Sequence, residues 1–135
     1  MSKQKIIDSI LFFNELDLLE LRLEELYDHV DIFLIVESDK TFTGKPKSLF
    51  YKNNSNRFSK WSDKIYHYVV DDMPTSVTNE ELTNFTTIES QKTIEFYREA
   101  HQRNSIGRAL KELDIKFDDI VIVSDVDEFP NTNIF

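Results

Sequence analysis

The chain has 135 residues, of which 40% are hydrophobic, and this content is enough for one compact core. The chain is too short for a second domain of ordinary size. Its 25 acidic residues exceed its 16 basic residues and give a net charge of −9, which argues against broad binding to nucleic acids or anionic membranes. The absence of cysteine excludes a disulfide framework and a thiolate nucleophile, and without a signal peptide or membrane segment in the sequence we expect a cytoplasmic protein.

Apolar runs alternate with helical patterns along the chain, which is typical of βα units around a mostly parallel sheet. Four of these runs are predicted to be strands, near residues 5–9, 31–36, 64–70 and 119–124. We expect the last strand at the centre of the sheet and helices on both faces, which is an α/β domain of three layers over residues 1–135. An α/β enzyme ordinarily continues with further strands, so we expect either a truncated piece or a minimal version of a larger fold.

Two segments have the apolar spacing of helices, at residues 15–28 and 89–113, and the second is expected to break near Gly107. Asn14 is predicted to cap the first helix, because Asp17 follows it three residues later as in a capping box. The segments rich in Gly, Pro and polar residues are predicted to be mainly loop, at residues 41–56 and 71–87.

The strongest chemical signal is an acidic turn after the last predicted strand, in the sequence Ile120-Val-Ile-Val-Ser-Asp125-Val-Asp127-Glu128. The strand delivers Asp125 and Asp127 to its carboxyl end, which is where ligands bind in open α/β sheets. Two carboxylates suit Mg²⁺ or Mn²⁺, and such a cation can bridge to the phosphates of a nucleotide. The competing interpretation is a solvated acidic turn with no ligand.

Three further residues are candidates for contact with a nucleotide donor. Arg103, on the helix before the acidic strand, offers a charged fork for a diphosphate or a base. Glu37 follows the second strand and Asp8 is predicted to end the first, so either carboxylate can accept from a ribose hydroxyl or a base N–H. The competing interpretation of Glu37 and Asp8 is that both are acids at strand ends that face water and bind no ligand. With 2 glycines the chain cannot form a Gly-rich phosphate loop.

Taken together, these segments resemble the family 17 glycosyltransferases. The matching stretches occur in the family's order and cover nearly the whole chain: Phe12-Phe-Asn-Glu-Leu-Asp-Leu-Leu-Glu-Leu-Arg-Leu23, Phe33-Leu-Ile-Val-Glu-Ser38, Thr41-Phe-Thr-Gly-Lys-Pro-Lys47, Val69-Val-Asp-Asp-Met-Pro74, Gln102-Arg-Asn104 and Ser124-Asp-Val-Asp-Glu-Phe-Pro130. The resemblance implies a GT-A-like nucleotide-sugar fold, with Asp125 and Asp127 as the Asp-x-Asp pair that holds the cation on the donor diphosphate. By similarity to other enzymes of that fold, Glu37 would lie near the nucleoside and Arg103 near the base or the phosphates.

The resemblance also implies an enzyme that transfers a sugar, N-acetylglucosamine, from a UDP donor to a glycan hydroxyl, with Mg²⁺ or Mn²⁺ as Lewis acid. The family's domain continues well beyond the Asp-x-Asp pair into the acceptor site. We therefore expect this chain alone to bind a donor nucleotide without transferring sugar, and we leave the catalytic base unassigned. Missing sheet neighbours would expose apolar surface and favour a homo-oligomer.

Two other functions stay open. One is a truncated, non-catalytic module that binds a nucleotide or forms an oligomer. The other is a phosphatase that uses Asp-x-Asp as nucleophile and acid. Such phosphatases carry the motif after the first strand of their fold, with essential Lys and Asp residues downstream, whereas here the motif follows the last predicted strand.

Overall fold

The computed structural model describes residues 3–135 and shows one sheet of four parallel strands in the order β3-β2-β1-β4. The strands are β1 (Ile6–Leu11), β2 (Ile32–Ser38), β3 (Ile65–Val70) and β4 (Ile120–Asp125). The helices are α1 (Leu16–Leu26), α2 (Phe50–Asn53), α3 (Asn79–Phe85) and α4 (Ile94–Glu112), with 3-10 segments at Ser55–Lys64, Glu89–Gln91 and Thr132–Ile134. The predicted α/β class is confirmed, and all four strands lie near their predicted positions.

Both faces of the sheet are covered, so the expected three-layer, GT-A-like arrangement is present. On one face, α1 and the 3-10 segment Ser55–Lys64 pack against Ile10 and Phe33. On the other face, α4 packs against Leu34 and Val36. The unbroken apolar run of β2 follows from this, because its alternate side chains are buried on opposite faces. Across the described part of the chain, every helix is too short or too polar to span a lipid bilayer.

β4 lies at an edge of the sheet and not at its centre, so that part of the prediction is wrong. Its register places Ile6 opposite Ile120 and Leu11 opposite Asp125, and β1 is its one neighbour among the strands of residues 3–135. Ile120 and Val123, which point to opposite faces of the sheet, keep 44% and 48% of their surface exposed, and among the described residues no strand pairs with the outer edge of β4. The expected exposed apolar surface is therefore found at β4, and self-association stays a prediction.

Three local predictions are also wrong. α4 continues through the expected break, because Gly107 lies on its exposed side and an added Cβ would meet nothing within 4 Å. The N-cap of α1 is Glu15 and not Asn14, and no side chain caps it, because the Glu15 carboxylate instead accepts from the N–H of Asn14. β1 continues to Leu11, so Asp8 lies inside the strand and not at its end.

Both segments predicted to be loops contain short helical elements. Tyr51, Phe58 and Trp61 are buried, so aromatic anchors hold α2 and the 3-10 segment after it. Thr78 and Glu81 form a capping box that starts α3. α2 and α3, with 4 and 7 residues, are too short to carry an extended apolar period, which is why the sequence pattern did not reveal them.

Candidate functional site

The carboxyl ends of all four strands lie along one edge of the sheet, because the strands are parallel. The register pairs Asp125 at the end of β4 with Leu11 at the end of β1. It likewise pairs Ser38 at the end of β2 with Val70 at the end of β3. The segments that follow these strands therefore meet at the edge where α/β sheets bind ligands.

The acidic motif forms a tight turn at this edge. The N–H of Glu128 donates to the carbonyl of Asp125 at 3.0 Å, and Oε1 of Glu128 accepts from the N–H of Asp125 at 2.8 Å. Val126 is fully buried in the core on the α1 face, while Asp127 is exposed. The middle residue of the motif is thus anchored, and the two aspartates beside it stay accessible to a ligand.

Arg103 reaches the same turn from α4. Its Nη2 is 3.7 Å from Oδ1 of Asp125, and the two side chains are 42% and 43% exposed. An exposed ion pair of this kind contributes about 0–1 kcal/mol, so a bound cation or anion can displace it. Arg103, Asp125 and Asp127 are therefore the predicted site residues that the structure brings together.

The number of oxygen ligands decides what kind of cation the turn can hold. Within residues 3–135 there is no group of three or more His, Cys, Asp or Glu side chains arranged around a common metal position. Asp125 and Asp127 thus offer two carboxylates, and Mg²⁺ is commonly bound by one or two carboxylates with waters and substrate phosphates. The turn fits a cation shared with a phosphate ligand and does not fit a closed structural metal site.

Asp8 is fully buried and paired with Arg22 of α1, so it does not face this edge. Nε and Nη2 of Arg22 each lie 2.8 Å from a different carboxylate oxygen of Asp8, and both side chains are 0% exposed. The same guanidinium extends to the acidic turn. There it donates to Oγ of Ser124 and to the carbonyls of Asp125, Val126 and Glu128.

Arg22 is not among the residues predicted from the sequence, although the pattern of α1 contains a signal for it. Position 22 lies on the apolar stripe, three residues after Leu19 and one before Leu23, and both leucines are fully buried. A charge on such a stripe is rarely buried unless it is paired. An arginine there predicts a buried partner, but the identity of that partner depends on the fold.

Glu37 lies at the end of β2, yet it is fully buried and held by other protein groups. It accepts from the backbone N–H groups of Tyr51 at 3.3 Å and Lys52 at 3.2 Å, which are donors left unpaired at the start of α2. Nε2 of His67 lies 2.6 Å from Oε2 of Glu37, the same oxygen that accepts from the Lys52 N–H. Direct contact of Glu37 or Asp8 with a donor stays a prediction, and the burial of both side chains argues against it.

A cavity of about 310 Å³ lies between the loops that follow β1 and β2. The Phe13 and Phe42 rings meet edge to face with their centres 5.4 Å apart, and Nζ of Lys47 is 5.1 Å from the centre of the Phe50 ring. Burial lowers the pKa of Lys47 below its ordinary value. The residues that line the cavity are Phe13, Asn14, Thr41, Phe42, Lys47 and Phe50.

Arg98 of α4 is a second buried arginine that was not predicted from the sequence. It donates to the carbonyls of Phe42, Pro74 and Thr75, and so joins the loop after β2 to the loop after β3. The first of these loops passes close to the guanidinium at Gly44, where φ is +87° and an added Cβ would lie 2.9 Å from Nη2 of Arg98. Backbone conformation and space both favour glycine at this position.

We expect Gly44→Ala to lower the free energy of unfolding, measured in urea. The left-handed conformation costs alanine about 1–2 kcal/mol, and the displacement of Arg98 adds to that loss. Gly107→Ala is the matched control, because it lies in α4 with open space around its Cβ position. The control should stabilise the protein by about 0.5–1 kcal/mol. Similar effects of the two substitutions would contradict the close approach at Gly44.

Comparison with known proteins supports one family. The sequence profile of glycosyltransferase family 17 matches residues 1–135. Over 135 residues, the chain is 27% identical to the beta-1,4-mannosyl-glycoprotein 4-beta-N-acetylglucosaminyltransferases of Rattus norvegicus and Homo sapiens, and 26% identical to that of Mus musculus. Each match covers 94% of this chain and 22% of the relative, so the chain spans under a quarter of the length of these curated relatives. No solved structure matches it. Because the profile covers the chain from its first strand through the acidic turn, the chain belongs to glycosyltransferase family 17.

Proposed function

We propose that this chain forms the donor-binding part of a glycosyltransferase that moves N-acetylglucosamine from a UDP donor to a glycan hydroxyl. Family membership supports the transferase class, and the names of the three relatives support the sugar. The observation that carries the donor site is the acidic turn, in which buried Val126 lies between two accessible aspartates at the ligand-binding edge of the sheet.

Asp125 and Asp127 are the residues that would hold Mn²⁺ or Mg²⁺ in this proposal. The cation, when bound, supplies a Lewis acid for the charge on the leaving diphosphate. The position of Arg103, 3.7 Å from Asp125, supports a second contact with the same anion, because a guanidinium binds phosphate oxygens through two parallel N–H groups. Substrate binding would then exchange the exposed ion pair for contacts to the donor.

The cavity between the loops after β1 and β2 is our candidate for the nucleoside position. The aromatic side chains of Phe13, Phe42 and Phe50 suit a planar base, and Lys47 and Asn14 carry donors for its carbonyl oxygens. This proposal changes the role expected for Glu37. By accepting from the first N–H groups of α2, Glu37 would fix the backbone beside Phe50 without touching the donor.

Calorimetry with the purified 135-residue chain tests the donor site. We expect UDP to bind when Mn²⁺ is present and to bind much more weakly when EDTA removes it. If UDP binding is absent, or is indifferent to Mn²⁺, the proposed donor site is wrong.

The same chain should fail to transfer sugar from UDP-GlcNAc to a mannose-terminated glycan. Transfer needs an acceptor hydroxyl held in line with the anomeric carbon and, in an inverting enzyme, a carboxylate to take its proton. The Glu128 carboxylate, the acid beside the metal pair, already accepts from the Asp125 N–H and so serves to shape the turn. Robust turnover by this chain would show that our expectation about the acceptor site is wrong.

A second candidate function is a non-catalytic module that associates through the uncovered side of β4. The exposed apolar side chains at and before β4, Phe117, Ile120 and Val123, favour it, because exposed apolar surface at an uncovered strand edge can mark an interaction site. Sedimentation that shows a stable oligomer, together with calorimetry that shows no UDP binding, would favour this function. The phosphatase interpretation is disfavoured by the position of the motif after β4.

A further inference from the structure

We propose that Arg22 is a positioning residue that shapes the acidic turn and thereby sets the affinity of Asp125 and Asp127 for a divalent cation. The inference rests on the proposed function, since it assigns a role within the donor site. It concerns a residue on α1 that touches neither the cation nor the donor in that proposal. Its influence passes through the backbone of residues 124–128.

The hydrogen bonds of Arg22 are directed mainly at the turn. Two go to the Asp8 carboxylate, and four go to the segment from Ser124 to Glu128. The bonds to Oγ of Ser124 and to the carbonyl of Glu128 are the shortest, at 2.6 Å each. A guanidinium has five N–H donors in a rigid fork, and here all three nitrogens face acceptors. A lysine has no such fork and cannot reproduce these contacts.

Stability alone does not account for this arrangement. Burial of a charged pair carries a desolvation cost that its attraction often only offsets, and apolar residues of similar volume commonly perform as well. α1 also packs on the sheet through Leu19, Leu23 and Leu26, all fully buried. The guanidinium of Arg22 additionally fixes the backbone conformation of the acidic turn, because one planar group donates to three carbonyls of that turn.

The geometry of the turn shows how the hydrogen bonds of Arg22 orient the Asp125 and Asp127 carboxylates. The carbonyls of Asp125, Val126 and Glu128 are drawn toward Arg22, and the Val126 side chain is buried. The Asp125 and Asp127 side chains therefore remain on the accessible side. Cation affinity depends on how firmly the two carboxylates are held within reach of one metal position. If the carbonyls of the turn lost their hydrogen bonds to Arg22, the backbone would move more freely and the Asp125 and Asp127 carboxylates would separate.

Asp8, inside β1, holds the Arg22 guanidinium in place. Its two oxygens bind Nε and Nη2 of Arg22, which leaves Nη1 directed at the turn. The Phe129 ring lies 5.7 Å from Cζ of Arg22 and helps to exclude water from the pair. Asp8 thus supports the candidate metal site indirectly, through Arg22.

The test compares the wild-type chain with Arg22→Lys and Ser124→Ala. Mn²⁺ is titrated into each protein, and broadening of the Val126 and Asp127 amide signals in NMR spectra reports its binding. We expect Arg22→Lys to weaken Mn²⁺ binding by about 10–100-fold, the range seen when groups that orient metal ligands are removed. Ser124→Ala removes one hydrogen bond and leaves the Arg22–Asp8 pair intact, so a loss of about fivefold is expected.

Arg98→Lys is the matched control, because it also alters a buried arginine that binds backbone carbonyls, but in loops away from the turn. It should leave Mn²⁺ binding unchanged even if it lowers the melting temperature. If Arg98→Lys weakened Mn²⁺ binding as much as Arg22→Lys does, the effect would reflect general instability of the protein, and the inference would be overturned. Unchanged Mn²⁺ binding in both Arg22→Lys and Ser124→Ala would also overturn it.

Amide hydrogen exchange separates this inference from the proposed function. Arg22→Lys should speed exchange of the Asp125 and Glu128 amides, which are hydrogen-bonded within the turn, more than exchange in α4. If wild type binds no Mn²⁺, the metal site fails while exchange still shows whether Arg22 shapes the turn. Unchanged exchange of these amides in Arg22→Lys would overturn the role of Arg22 by itself.

Discussion

Asp127→Asn is expected to remove most of the metal-dependent binding of UDP and to leave the fold intact. Substitution of groups that only orient a metal ligand costs about 10–100-fold in affinity, so loss of a ligand carboxylate should cost at least about 100-fold. Asp127 is exposed in the turn that follows β4, outside the core, so the melting temperature should change little. Calorimetry with UDP in the presence and absence of Mn²⁺ measures the effect.

Asp118→Asn provides the control for that substitution. Asp118 is also an exposed aspartate, and it precedes β4 at the amino end of the strand, opposite the acidic turn. The control changes net charge by the same amount, so it should leave UDP binding as in wild type. If Asp127→Asn keeps the wild-type affinity for UDP with Mn²⁺, Asp127 is not a metal ligand.

Arg22→Met is expected to lower the free energy of unfolding by about 3–5 kcal/mol, because it leaves the Asp8 carboxylate buried without a partner. The loss is a large part of the roughly 5–15 kcal/mol that holds an ordinary domain together. Three carbonyls of the acidic turn and the Ser124 hydroxyl lose their donor as well. Urea unfolding followed by circular dichroism measures the change.

The double substitution Asp8→Val with Arg22→Met distinguishes a buried charge from a general packing defect. With both charges removed, much of the lost stability should return, because an apolar pair of similar volume commonly replaces a buried ion pair. Arg57→Met is the control: Arg57 pairs with Asp17 and Glu20 on exposed parts of α1, so its substitution should have a small effect. A double variant less stable than Arg22→Met would contradict the explanation.

The sequence by itself determined the fold class, the approximate strand positions and the acidic turn. The apolar runs at β2 and β4 are long enough to predict strands, although only β2 is buried, while β4 lies at the edge of the sheet with Ile120 and Val123 exposed. Asp125 and Asp127 follow the last run directly, so their place at a strand end required no tertiary information. Family resemblance then connected that local pattern to a donor diphosphate, which remains a proposal for this chain.

The tertiary structure decided which charged residues are accessible. Asp8 and Glu37 looked like strand-end ligands, yet β1 extends beyond Asp8, and both carboxylates are buried against groups from other elements. Arg22 meets Asp8 across 14 residues of sequence and the acidic turn across more than 100. Local patterns show that a position is apolar or charged. They do not show which distant segment lies opposite, because that depends on how α1 packs against β1 and β4.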